Sequence, residues 1–235
     1  MTAASAAATH PYNPAMPARP ALPTVLLTGF APFAGDVTNP SWDAIAPLHG
    51  RRILGHRVVA RRLPVEFGAS ARALRAAIRD LRPRLVVCAG LAAGRDAISL
   101  ERIAINVDDA RIPDNAGACP VDAAVVPGAP AAYFATLPIK AMRAALIDAG
   151  IPAEVSQSAG TYVCNHVFFA LLHALRRRPG VRAGFIHVPP ALEMPAADAA
   201  RRGLPLATIT DALRIAVRVA LATGDDLRQA AGAVD

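Results

Sequence analysis

Short apolar runs alternate with amphipathic stretches along the chain, and this alternation predicts the elements. Val25 to Gly29 is a continuous apolar run closed by a glycine, which reads as a buried first strand. Leu85 to Gly90 and Gly184 to Pro190 have the same character, and Arg57 to Val65 and Ala153 to Gln157 read as further strands. Ala71, Leu74, Ile78 and Leu81 mark one face of a helix that stops before Pro83. Pro138 to Ala149 is a second helix, with Met142, Leu146 and Ala149 inward, closed by Gly150 and Pro152. Val167, Phe168, Leu171, Leu172 and Leu175 give a third, with Arg176, Arg177 and Arg178 filling its last turn before Pro179 and Gly180. Ile209, Leu213, Ala216, Val217, Ala220 and Leu221 form the last helix, for which Thr208 and Asp211 supply a capping box. Ile98 to Val107 alternates like a strand and adds a hairpin or an antiparallel edge.

Helices alternating with strands that are apolar on both faces predict a three-layer α/β/α sandwich with a mostly parallel, mixed central sheet. Residues 24–235 read as one domain. Residues 1–23, rich in Ala, Pro and Thr, lack periodicity and read as a disordered extension rather than a signal peptide.

Composition narrows the function classes. A chain of 235 residues that is 54% hydrophobic buries a large core without staples. No apolar run approaches the ~20 residues of a membrane span. Cys88, Cys119 and Cys164 form neither a disulfide framework nor a zinc spacing, so a reducing cytoplasm is expected, with no metal. The net charge is +7, yet the arginines are dispersed and aromatics make up only 5%, so nucleic acid is not an expected partner. The loop from Gly90 to Gly94 matches no phosphate-binding pattern.

Three residues at element ends carry candidate chemistry. Cys164 stands at or beside a helix N-terminus, where unpaired N–H groups favour a thiolate and stabilise an oxyanion. His187 closes a strand, and Glu101 is a carboxylate inside an apolar ribbon. A cysteine nucleophile needs a base, and the base needs an orienting group. Each residue also has a plainer reading. Cys164 is then a buried structural cysteine, His187 a satisfied core residue, and Glu101 the partner of an arginine such as Arg102 or Arg111. Phe30 and Phe33, fixed around Pro32 in the loop after the first strand, are either ligand contacts or anchors of that loop.

The segments TGFAPFAG followed by NP, GRDAISLERIAINVDDARIPDNAG, VPGAPAAYFATLPIKA, SAGTYVCNHVFF and GFIHVP resemble the pyroglutamyl peptidase I family of cysteine peptidases, in that family's order. The resemblance implies removal of an N-terminal pyroglutamyl residue from peptides, through a thioester, without metal or cofactor. It implies a Cys164–His187–Glu101 triad, an aromatic pair of Phe30 and Phe33 holding the lactam, and Arg111 near the site. It further implies a cytoplasmic homo-oligomer, tetramer or dimer. Ala34 departs from the family's frequent second glycine, Leu91 stands where some members have glutamine, and Pro190 to Met194 departs from the usual aromatic-containing segment. A catalytically silent lactam- or peptide-binding relative, or a phosphorylase on the same type of fold, are the alternatives.

Overall fold

The computed structural model describes residues 22–194 and 202–232. The expectation of a disordered N-terminal extension therefore falls on residues outside the described ones, apart from its last two. The strands are β1 (Thr24–Phe30), β2 (Arg52–Ile53), β3 (His56–Leu63), β4 (Leu85–Leu91), β5 (Ile98–Glu101), β6 (Ile103–Ile105), β7 (Ala132–Phe134), β8 (Ala153–Ser156) and β9 (Arg182–Val188). The helices are α1 (Pro40–Ile45), α2 (Ala69–Leu81), α3 (Ile139–Asp148), α4 (Val163–Leu175) and α5 (Leu206–Ala222).

Seven strands form one sheet in the order β2-β3-β1-β4-β9-β5-β8. The pairs β1–β3, β1–β4, β4–β9 and β5–β8 are parallel, while β5 runs antiparallel to β9 and β2 to β3. Side chains of a strand alternate between faces, so each central strand feeds two cores. Leu85, Val87 and Ala89 of β4 and Ile186 and Val188 of β9 pack with α1, α3 and α5. Val86 and Cys88 of β4 and Ala183 and Phe185 of β9 pack with α2 and α4. The molecule is a three-layer α/β/α sandwich around a mostly parallel, mixed sheet.

Several elements differ from the sequence expectation. The ribbon Ile98 to Val107 breaks at Arg102, which sends β5 into the main sheet and pairs β6 with β7 in a separate two-stranded ribbon. The antiparallel junction it creates, between β9 and β5, lies inside the sheet rather than at an edge, because β8 pairs with the other side of β5. The helix α1 follows an Asn39-Pro40 pair that is itself a start signal: the Asn39 side chain accepts from the Ser41 N–H at 3.1 Å and Pro40 needs no donor at the first helical position. Helix α4 ends at Leu175, so Arg176, Arg177 and Arg178 lie past its last turn rather than in it. No capping box forms at Thr208, because α5 begins earlier, at Leu206, whose N–H donates to the Glu193 carboxylate at 2.9 and 3.1 Å.

The crossover from β1 to β3 carries α1 on one face and that from β3 to β4 carries α2 on the other. Their strands diverge on either side of β1, opening a crevice at the carboxyl ends, where such sheets bind ligands.

Candidate active site

A cleft of about 310 Å³ fills that crevice. It is lined by Phe30, Phe33, Ala34, Asp36 and Asn39 after β1, Val65 after β3, Leu91 and Ala93 at the end of β4, and Tyr162, Val163 and Cys164 where α4 begins. Hydrogen bonds fix its first wall. Ser41 Oγ accepts from the Phe30 N–H at 3.0 Å, and Asn39 donates to the Ala31 carbonyl at 3.0 Å. Gly29 permits this closeness, since a Cβ there would stand 2.5 Å from the Ser41 carbonyl oxygen. Ala34 holds φ at 54°, a left-handed conformation that a second glycine would adopt freely and that costs an alanine about 1 kcal/mol. Phe30 is buried against Phe185 and Phe33 lies 5.5 Å from the Tyr162 ring, so each ring is both a loop anchor and part of the cleft wall.

Cys164 is the second residue of α4, and no side chain among the described residues caps that helix. Its first-turn N–H groups therefore stay available at the cleft. The sulfur rests on β4: a Cβ on Gly90 would come within 2.8 Å of Cys164 Sγ and within 2.8 Å of the Phe185 ring. Gly90 is in register with His187 across the β4–β9 pair. His187 shares its face with Phe185, two residues earlier, and the two ring centroids are 4.8 Å apart. Ser99 lies opposite His187 in β5, and Glu101, two residues on, points to that same face. The Glu101 carboxylate, fully buried, meets His187 Nδ1 at 2.7 Å. The structure thus brings thiol, imidazole and carboxylate to one sheet face, and Glu101 pairs with neither Arg102 nor Arg111. Its arginine partner is Arg95, at 2.7 Å, a residue the sequence pattern did not single out. Arg102 instead donates to the Ala231 carbonyl at 3.2 Å.

The thiol is not poised as the helix position alone predicts. Burial pushes Cys164 up to about 12, the Glu101 carboxylate adds to the rise, and the Arg95 guanidinium opposes it. Desolvation of the thiolate works against the helix N-terminus here. Cys88 is pushed equally high, chiefly by burial in the core, while Cys119 is exposed.

A second buried imidazole–carboxylate pair shows the contrast. His166 Nδ1 lies 2.8 Å from Asp108, but its Nε2 accepts from the Gly68 N–H at 3.0 Å. Both nitrogens are spent on structure. No hydrogen bond occupies His187 Nε2 among the described residues. Arg111 is exposed and lines an adjoining hollow with Phe33, Asp109, Ile112, Gly160, Thr161 and Tyr162, outside the cleft that holds Cys164. Among the described residues no group of three His, Cys, Asp or Glu side chains is arranged to hold a metal ion, and no helix is long and apolar enough to cross a membrane.

Asp114 anchors the rim. Its carboxylate accepts from the Phe67, Ala116 and Ala118 N–H groups at 2.7 to 2.8 Å, while Tyr162 donates to the neighbouring Pro113 carbonyl at 3.0 Å. Burial alone would raise this carboxyl, but the backbone donors Phe67, Ala118, Ala116 and Gly117 outweigh it and hold it below its ordinary value. A folded-state depression stabilises the protein above the unfolded carboxyl range and is lost as pH falls through the folded value. Asp114→Asn should therefore lower stability at neutral pH by about 1.5–3 kcal/mol, with the gap to wild type closing below about pH 4. Thermal melts of both proteins across that range check it, and a gap that stays constant would refute it.

A three-layer α/β/α protein with a thiol at a helix N-terminus and an imidazole–carboxylate pair on the same sheet face falls in the class of cysteine-type hydrolases. The chain belongs to the pyroglutamyl peptidase family, whose pattern matches residues 23–223. It is 55% identical over 212 residues to the pyrrolidone-carboxylate peptidase of Klebsiella pneumoniae, covering 89% of this chain and 98% of that one. It is 53% identical over 212 residues to the enzyme of the same name from Cupriavidus taiwanensis, with the same coverage. Among solved structures, it superposes on pyroglutamyl peptidase I from Bacillus amyloliquefaciens with a TM-score of 0.86 at 42% identity, covering 89% of this chain and all of that one. The pyrrolidone carboxyl peptidase from Thermococcus litoralis superposes with a TM-score of 0.85 at 37% identity and the same coverage.

Proposed function

We propose that the protein hydrolyses the amide bond after an N-terminal pyroglutamyl residue, with Cys164 as nucleophile, His187 as general base and acid, and Glu101 as the group that orients the imidazole. The observation that carries this reading is the Glu101–His187 hydrogen bond on the sheet face against which Cys164, a lining residue of the cleft, is packed. Pyroglutamate is a flat neutral lactam without a basic amine. A slot walled by Phe30, Phe33, Val65 and Leu91 suits its ring faces and penalises an ammonium left unpaired there.

The high thiol value shapes the chemistry. The thiol carries its proton at rest, so His187 Nε2 takes that proton as sulfur attacks the carbonyl carbon. The carbonyl electrons move onto oxygen, where the first-turn N–H groups of α4 stabilise them. Collapse of the tetrahedral species expels the peptide amine, which receives the proton from His187, and leaves a pyroglutamyl thioester. Water, deprotonated by the same imidazole, then attacks the thioester and frees pyroglutamate and the thiol. Arg111, which lines the adjoining hollow with Phe33 and Tyr162, serves the substrate carbonyl or loop closure on this reading. Three free cysteines support a reducing cytoplasm as the compartment, and on this reading the active form is a homo-oligomer.

The test is hydrolysis of a chromogenic pyroglutamyl amide, with amides of free glutamine and proline as controls. Cleavage of the first alone is expected. Phe33→Ala should raise KM about three- to tenfold through loss of one aromatic face. Cleavage of the free-amine substrates at a similar rate, or none of the pyroglutamyl amide, would overturn the assignment.

A further inference from the structure

Arg95 stands in the loop between β4 and β5, next to cleft residues Leu91 and Ala93. Its Nη1 donates to Glu101 Oε1 at 2.7 Å and its Nη2 to the Ser158 carbonyl at 3.1 Å. Ser158 opens the short segment that leads into α4 and Cys164. Glu101 Oε1 is also the atom bonded to His187 Nδ1, and Glu101 Oε2 has no partner among the described residues. Both restraints therefore act on one oxygen of one buried carboxylate. A shift of the guanidinium moves the carboxylate, and the carboxylate carries the imidazole with it.

We infer that Arg95 is a positioning residue of the site, tying the carboxylate that orients His187 to the segment that presents Cys164. The inference rests on the hydrolase reading above and adds to it a residue that touches neither substrate nor the reacting atoms. A planar fork with two donors at fixed angles suits the task, whereas a lysine ammonium could hold the carboxylate but not reach both acceptors in that geometry. Charge acts in the same direction as geometry. The groups that bear on the Cys164 thiol are Glu101 of β5 and Cys88 of β4, which raise it, and Arg95, which lowers it; His187 of β9 lies on the same face. Tyr162, beside the thiol on α4's cap, is pushed up to about 12, by burial first and then by Asp114, Cys119 and Cys164. Removing Arg95 leaves the carboxylate unopposed, and the thiol gives up its proton less readily.

The test compares wild type, Arg95→Gln and Arg95→Lys in turnover of a pyroglutamyl amide, melting temperature, and the rate at which iodoacetamide labels Cys164 at a fixed mildly alkaline pH, read by peptide mapping. Arg95→Gln should lose about ten- to a hundredfold in kcat, the scale of a displacement of about an ångström, with KM nearly unchanged. Its Cys164 should label about tenfold more slowly, as for a thiol raised by about one unit. Arg95→Lys should restore the labelling rate and only part of kcat. A site merely loosened by the mutation would label faster, not slower. Wild-type kcat and labelling in Arg95→Gln, or a kcat loss that only follows melting with faster labelling, would overturn the inference. Should wild type fail to cleave the amide, the hydrolase reading falls on that result, while slowed or unchanged labelling still decides for or against Arg95's hold on the thiol.

Discussion

Cys164→Ala should lose pyroglutamyl amide turnover by about 10⁴-fold or more, the scale of removing a covalent nucleophile. The loss is expected to be complete in practice because no other thiol can take over. Cys88 is fully buried in the core between the sheet and helices α2 and α4, and Cys119 belongs to an exposed segment where its sulfur donates to the Ala110 carbonyl at 3.1 Å. The fold should survive, since alanine fits wherever the cysteine Cβ fits and, among the described residues, the sulfur makes no hydrogen bond that holds an element. Iodoacetamide should inactivate wild type with Cys164 modified, increasingly fast as pH rises, because burial keeps the thiol protonated near neutrality. Cys119 should label too without affecting turnover, and a pyroglutamate analogue should protect Cys164 alone. Normal turnover by a folded Cys164→Ala protein would end the nucleophile assignment.

Glu101→Gln should lower kcat by about 10²- to 10⁴-fold with little change in KM. The amide keeps the shape but can donate a proton to His187 Nδ1, which favours the tautomer with its proton on Nε2. That tautomer cannot accept the thiol proton. The imidazolium formed during attack also loses the charge that stabilises it. Substrate contacts lie elsewhere, in the Phe30 and Phe33 wall, so KM should stay close to wild type. Arg95 loses its ionic partner, but its side chain is 29% exposed and water can solvate it, which keeps the stability cost small. Kinetics and melts together separate the roles. Full activity, or activity lost only in step with melting temperature, would rule out the orienting role.

The residues that matter were legible to different degrees. The apolar runs at Val25, Leu85 and Gly184 became β1, β4 and β9 within a residue or two, because strands buried on both faces have no other composition to adopt. Cys164, His187 and Glu101 stood out as reactive types at the ends of such runs. The Asn39-Pro40 pair was an available signal for α1 that a six-residue helix, too short for periodicity, hid. Arg95 gave no signal at all. A guanidinium in a loop can reach several segments, and only the path of that loop decides that it reaches both Glu101 and Ser158.

By itself the sequence determined the layer architecture and the chemical types at the sheet's end, because periodicity and residue identity are local properties. Tertiary structure alone decided the rest. The break at Arg102 and the antiparallel seating of β5 beside β9 turned Glu101 toward His187, since a shift of one residue in that register would send the carboxylate to the opposite face. The packing of Cys164 over Gly90 raises the thiol's proton affinity, since desolvation depends on every atom that closes around the sulfur, which no stretch of local sequence reveals.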